Sequence, residues 1–224
     1  MDWTALGVSA RLSATTMLVL VILGTPIAYW LTFSTRRWKF VVEAIVALPL
    51  VLPPTVLGFY VLIGIGPVSP VGRAYMRASG HGLPFTFEGL LIASVLYSLP
   101  FAVQPFAAAF RSVDRRLLET SWSLGVSRAS TFWRVVVPLS ARGFVTGMVL
   151  SFAHTLGEFG VVLMVGGNLP GITRTVSISI YDEVQALNYV AARNTSLLLL
   201  AFSFIVLSIT YALQKSTRLA WPLG

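Results

Sequence analysis

The chain has 224 residues, 56% of them hydrophobic and only 11% charged, against about a quarter charged in soluble domains. This excludes an ordinary soluble globule, and the length suits one membrane bundle, a single domain over residues 1–224, rather than two. The net charge of +8 is no nucleic-acid signature, because the basic residues form no run and lie at segment ends, as in cytoplasmic loops; with no cysteine there are no disulfides.

Apolar stretches of about 20 residues predict membrane spans, and five occur in chain order. The first is near Leu12–Phe33, between Arg11 and the basic cluster Arg36, Arg37 and Lys39. It is too long for a signal peptide and lacks a basic leader, so it is kept as a span. The second covers about Phe40–Ile65, with Glu43 inside it and Pro49, Pro53 and Pro54 expected to kink it. The third is about Gly89–Phe110. The fourth, about Gly143–Val165, carries His154 and Glu158, and the fifth is about Asn194–Gln214. The loop Gly66–Glu88 is rich in Gly, Pro and Ser and reads as irregular. In Gly166–Arg193 the run TVSISI reads either as a short strand or as the start of a helix entering the membrane partway.

With the N-terminus outside, eleven basic residues fall on the inside, Lys215 and Arg218 among them, and five outside. That asymmetry places the C-terminus and residues 111–142 in the cytoplasm. Within that segment Asp114 is placed to cap a helix running to Leu124, with Gly125 just past its end. Ser127 is placed to cap a second helix reaching about Val136, where Pro138 stops it or starts the next. On the first helix Leu117, Ser121 and Leu124 share a face, with Leu118 and Trp122 beside them. Such a hairpin either lies on anionic lipid or docks another protein.

Chemistry-bearing groups are sparse. Two histidines, His81 and His154, and no cysteine argue against a metal site, and no catalytic site is expected. The two lysines follow Trp38 and Gln214, so no phosphate-binding G-x-x-x-x-G-K-[ST] loop exists. Neither G-x-S-x-G nor H-E-x-x-H occurs. Ionisable groups in spans face a cavity or a partner. Glu158, between Gly157 and Gly160, therefore has two readings: a tie at a gate or helix interface near a path, or a satisfied interhelical hydrogen bond. The glycines permit close helix approach or a local break. As an anion it would repel an anionic substrate. Glu43 is expected to reach Arg36 or Lys39, and His154 to be a packed polar residue. Arg174, with Thr173 and Thr175, reads as an outer contact for an anion or a delivering protein, or as a bare surface cation.

Glu119, Gly125 six positions on, and Val135-Val-Val-Pro138 resemble the coupling loop of ABC-importer permease subunits, whose pattern is E-A-A, three residues, G, nine residues, I-x-L-P. Thr120 and Ser121 stand where the alanines usually do, and Val135 and Val137 replace Ile and Leu; the spacing of Glu, Gly and Pro is intact. The stretches Ala47–Leu62, Ser151–Gly171 and Thr173–Gln185 resemble the molybdate branch, and the GEFG and NLPG–TRT portions are similar to those of sulfate, thiosulfate and tungstate permeases. The resemblance implies an all-α, type I importer permease fold: five membrane helices and a cytoplasmic coupling hairpin. It implies coupling to an ATPase through Leu118, Glu119, Gly125, Val126 and Pro138, and a path or gate at Pro53, Pro54, Gly157, Glu158 and Gly160. It further implies a second copy of the chain, two cytoplasmic ATPase subunits that bind ATP and Mg, and an extracytoplasmic molybdate-binding protein. No cofactor of the chain itself and no nucleic acid are expected. The alternatives are sulfate, thiosulfate or tungstate import and, outside transport, a membrane-embedded enzyme or an assembly scaffold.

Overall fold

A computed structural model describes residues 1–215, with side chains through Ala212. Arg218 and the Lys215 side chain, both counted in the charge asymmetry, lie outside the described residues, as does the C-terminus itself.

Helix α1 (Trp3–Phe33) is capped by Asp2, whose carboxylate accepts the Ala5 N–H at 2.9 Å. Its 31 residues rise about 46 Å, so it starts well before the expected Leu12, and Arg11 lies within it, 4.1 Å over the Phe87 ring. Helix α5 (Phe87–Arg111) is the central element. Helices α1 and α8 (Val137–Leu156) pack against it around Leu20, Ala28, Val103, Phe106 and Phe110. Small residues on α8 let it approach: a Cβ on Gly147 would meet the Phe106 ring at 2.6 Å, and one on Gly143 would meet the Ala109 Cβ at 2.6 Å. This is how membrane helices associate, by close van der Waals packing and interhelical hydroxyl bonds. The last span, α11 (Tyr189–Lys215), is largely exposed on the bundle surface.

Among the described residues, four helices are long and apolar enough to cross a bilayer, and a bent pair makes up to five. The pair is the expected second span, and it departs from a kinked helix. Helix α2 (Lys39–Ala47) passes through a 3-10 turn at Leu48–Leu50, and α3 (Pro54–Ile65) leaves it at an angle of 112°. Pro53 is forced extended by the proline that follows it (φ −54°, ψ 135°), while Pro54 suits the first position of a new helix. The double proline therefore ends one helix and starts another. Glu43 pairs with Lys39 at 3.6 Å, as expected.

The hairpin begins as expected: α6 (Arg115–Ser123) is capped by Asp114, which accepts the Arg116 N–H. Its other half differs. Helix α7 (Arg128–Thr131), capped by Ser127, runs through a π-helical turn at Phe132–Val136 directly into α8. The widened turn, with the Val137 N–H on the Phe132 carbonyl, relieves the clash and missing donor that Pro138 would bring to a regular helix. Pro138 therefore does not stop the helical run; it sits in the first turn of α8, which continues from α7 through the π turn. The fourth span is continuous from Arg128 to Leu156, not Gly143 to Val165, and breaks at Gly157 before α9 (Gly160–Gly166).

Two connecting segments gain order. The loop read as irregular contains α4 (Pro70–Ser79), with Ser69 accepting the Gly72 N–H at one end and left-handed Gly80 (φ 79°) at the other. The run TVSISI opens α10 (Val176–Gln185), a helix and not a strand.

Candidate functional site

The break in the fourth span meets the start of α3. A Cβ on Gly160 would lie 2.8 Å from the Pro54 Cβ, and one on Gly58 would lie 2.8 Å from the Met164 Cβ, so α3 and α9 touch through their glycines. Beside this contact, between the first turn of α3, α5 and the end of α8, opens a cavity of about 630 Å³ lined by Pro54, Thr55, Tyr97, Ala153, His154, Gly157, Glu158, Phe159 and Gly160. Four of the five residues singled out for a path, distant in sequence, thus line one cavity. The fifth, Pro53, is the N-cap of the helix whose first turn lines it.

Glu158 sits at the break, not inside a helix, and is 4% exposed. Ser94 of α5 donates to its Oε2 at 2.6 Å, while Oε1 is buried with no hydrogen-bond partner among the described residues. One oxygen is thus tied to α5 and the other is left without a partner, while the residue lines the cavity. His154 is packed as expected, stacked on Phe101 at 3.8 Å with its Nδ1 2.9 Å from the Ser98 hydroxyl. Ser98 also meets the Thr155 hydroxyl at 2.8 Å. A ladder of hydroxyls on α5 thus holds the wall that carries Glu158. Sequence reasoning did not single out Thr55 or Tyr97, which complete the lining.

At the hairpin, Gly125 has φ +79° and no atom within 4 Å of a built Cβ. The Gly125 N–H donates to the Trp122 carbonyl and the Val126 N–H to the Ser121 carbonyl, a Schellman motif closing α6. The Ser121 and Thr131 hydroxyls, 2.8 Å apart, tie α6 to α7. Of the predicted coupling residues, Leu118 is 2% exposed and roots α6 in the core beside Phe110 and Val136. Glu119 is outward and pairs with Arg115 at 3.2 Å. Val126 is half-buried, and Pro138 is exposed at the start of α8. The apolar groups presented outward are Leu117, Trp122 and Leu124, the last 77% exposed.

Thr173, Arg174 and Thr175 do not line the cavity at Glu158. Arg174 is not a bare surface cation: its Nη2 donates to Asp182 at 2.7 Å, and its Nε lies 3.7 Å from Asp2. Thr173 donates to the Gly166 carbonyl, Thr175 is buried, and the neighbouring Val176 N–H donates to Ser9 on α1. These contacts latch α10 to the start of α1.

This geometry has known counterparts. The family described as "Binding-protein-dependent transport system inner membrane component" matches residues 21–219. The chain is 48% identical over 217 residues (97% of this chain, 95% of the relative) to the molybdenum transport system permease protein ModB of Azotobacter vinelandii. It is 31% identical to the sulfate transport system permease protein CysT of Synechocystis sp., covering 88% of this chain and 68% of the relative. Among solved structures it superposes on an inward-facing MetNI methionine ABC transporter chain with a TM-score of 0.72 at 15% identity, covering 95% of this chain and 96% of that one. The chain belongs to the binding-protein-dependent transport system inner-membrane component family, and is a non-catalytic, multi-pass membrane subunit of an ABC importer.

Proposed function

We propose that this chain is the permease of an ATP-driven molybdate importer, working as a homodimer with two cytoplasmic ATPase subunits and an extracytoplasmic binding protein. The observation that carries the reading is the cavity between the first turn of α3 and the Gly157–Gly160 break, in a chain 48% identical over almost its whole length to a molybdenum permease.

The chemistry suits brief passage of an oxyanion rather than tight binding. The N-terminal turn of a helix favours a negative charge through its dipole and unpaired N–H groups, and the first turn of α3 lines the cavity. Hydroxyls of Thr55 and Tyr97 offer donors. Glu158, anchored by Ser94, does not attract an anion, which fits a wall or gate. Five spans of one chain enclose little path, and exposed Phe59, Tyr60 and Ile63 on α3 offer an apolar face for the second copy. At the other end, ATP-driven closure of the partner ATPases moves α6 through Glu119 and the exposed Leu117 and Leu124. Leu118 and the Schellman turn at Gly125 transmit the motion to α7 and α8. Arg174, already matched by Asp2 and Asp182, shapes the outer surface on which a binding protein sits rather than holding the anion itself. The N-terminus is outside and the C-terminus cytoplasmic, as the basic asymmetry requires.

The test is uptake by the complex reconstituted with its binding protein. Molybdate should enter with ATP and resist a large excess of sulfate. Strong competition by sulfate moves the assignment to sulfate import, the reading that the 31% identity to a sulfate permease keeps open.

A further inference from the structure

We propose that the end of the bundle bearing the coupling hairpin holds one anionic phospholipid in a built amphipathic groove. Two cavities adjoin there. The first, about 880 Å³, is apolar and runs between α1 and α7–α8 along Ile22, Pro26, Phe132 and Trp133. The second, about 550 Å³, is polar and reaches Ser34, Thr35 and Arg115. Both share Tyr29, Trp30 and Arg128, so an apolar slot leads into a hydroxyl- and arginine-lined end. An acyl chain fits the first and a phosphate headgroup the second.

Three observations select this occupant. Ile22 and Trp133 are 70% and 68% exposed at the mouth of the slot, so it opens on the face that meets lipid. Trp30 packs on Trp38 at 5.0 Å, and Tyr29 and Trp30 line the junction of the two cavities, the position aromatic residues take at a membrane interface. Arg128 has no carboxylate within ion-pair distance among the described residues: the ion pairs found there join Lys39 to Glu43, Arg115 to Glu119, and Arg174 to Asp2 and Asp182. Its guanidinium lies 5.5 Å from the Trp122 ring centroid, beside the polar end. Net positive charge at the headgroup position favours an anionic lipid over a zwitterionic one. Leu118 and Trp122 of α6 form part of the polar wall, so the lipid braces the root of the coupling hairpin.

Native mass spectrometry of the full chain, stripped of lipid and titrated with phosphatidylglycerol or phosphatidylcholine, tests this. Phosphatidylglycerol should bind in preference, one per protomer. Arg128→Gln should weaken it roughly fivefold, the factor equivalent to about 1 kcal/mol per basic residue at an anionic surface. Arg128→Lys should keep the preference, and Ala129→Trp, which fills the apolar slot with the charge intact, should abolish it. Arg37→Gln, an exposed charge on the same end but outside both cavities, should leave binding unchanged. Equal retention of both lipids overturns the proposal, as does equal weakening by Arg37→Gln and Arg128→Gln. A photo-crosslinker at Ala129 that captures a second copy of the chain in native membranes also overturns it, since the groove would then be an interface.

Discussion

Two helix breaks in this chain are marked by glycine, and the glycines serve opposite ends. Gly125, at the hairpin, has a left-handed backbone and open space where a side chain would stand. Gly160, at the break beside Glu158, starts a helix in ordinary conformation and is pressed against Pro54. One position needs glycine for its φ, the other for its missing Cβ. The first break is exposed and its backbone groups are closed by a Schellman motif; the second is buried and leaves a carboxylate oxygen unpartnered. In the mechanism proposed above, the first break would belong to a lever, which needs a fixed exit angle, and the second to a path, which needs close packing around polar groups.

Substitutions that separate conformation from space test this contrast. The largest effect is expected at Gly160→Val. Its Cβ has to displace Pro54 and with it the start of α3, an overpacking cost of about 1–3 kcal/mol or more. Melting temperature in detergent and membrane level should both fall. Gly125→Val meets no atom but strains the backbone, at a cost of about 1–2 kcal/mol. The protein should insert and dimerise normally, yet lose uptake and show weakened ATPase association or uncoupled hydrolysis; wild-type transport would make the hairpin a mere surface element. Gly125→Asn, which tolerates the left-handed region better, should recover part of the coupling, whereas Gly160→Asn should not recover stability.

The two breaks also differed in legibility. The hairpin was readable because its signals are local: a capping Asp114, a Gly just past the helix end, and a fixed Glu–Gly–Pro spacing. What spacing did not reveal was that a π turn just before Pro138 carries α7 straight into α8, or that Leu118 faces the chain's own core; the latter depends on where α1 and α5 lie. At the deeper break, Pro54 and Gly160 each stood out alone, but their contact joins residues over a hundred positions apart, and no local pattern encodes it. Thr55 and Tyr97 were missed for the same reason. Helix α4 was legible in principle, since Ser69, Pro70 and Gly80 are its cap, first turn and end, yet the density of Gly and Pro around it favoured a loop. The bare-cation reading of Arg174 stood because Asp2 comes from the far end of the chain and Asp182, eight residues on, faces Arg174 only once α10 has formed.

Smaller effects sharpen the comparison. Ser94→Ala removes the donor to Glu158 and should cost about 1 kcal/mol, within the range of interhelical hydrogen bonds in membranes. Melting in detergent, with Ser94→Ala and Glu158→Gln combined in a double-mutant cycle, measures the coupling directly. At the hairpin, Arg115→Ala breaks an ion pair whose side chains are 82% and 58% exposed, so melting should shift little, because exposed pairs four residues apart on a helix contribute only about 0.3–0.5 kcal/mol.

The central claim is that nucleotide at the hairpin end moves the cavity at Glu158 from one side of the membrane to the other. The chain has no cysteine, so an introduced thiol is the only one this chain carries, and labelling is read on its own band. Thr55→Cys places one on the cavity wall. In the reconstituted complex with its ATPase and binding protein, a membrane-impermeant thiol reagent should label this position from the cytoplasmic side without nucleotide, and from the outer side with ATP held unhydrolysed. Adding Gly125→Val should abolish the switch while leaving labelling without nucleotide intact. Labelling from one side alone in both states would contradict the account.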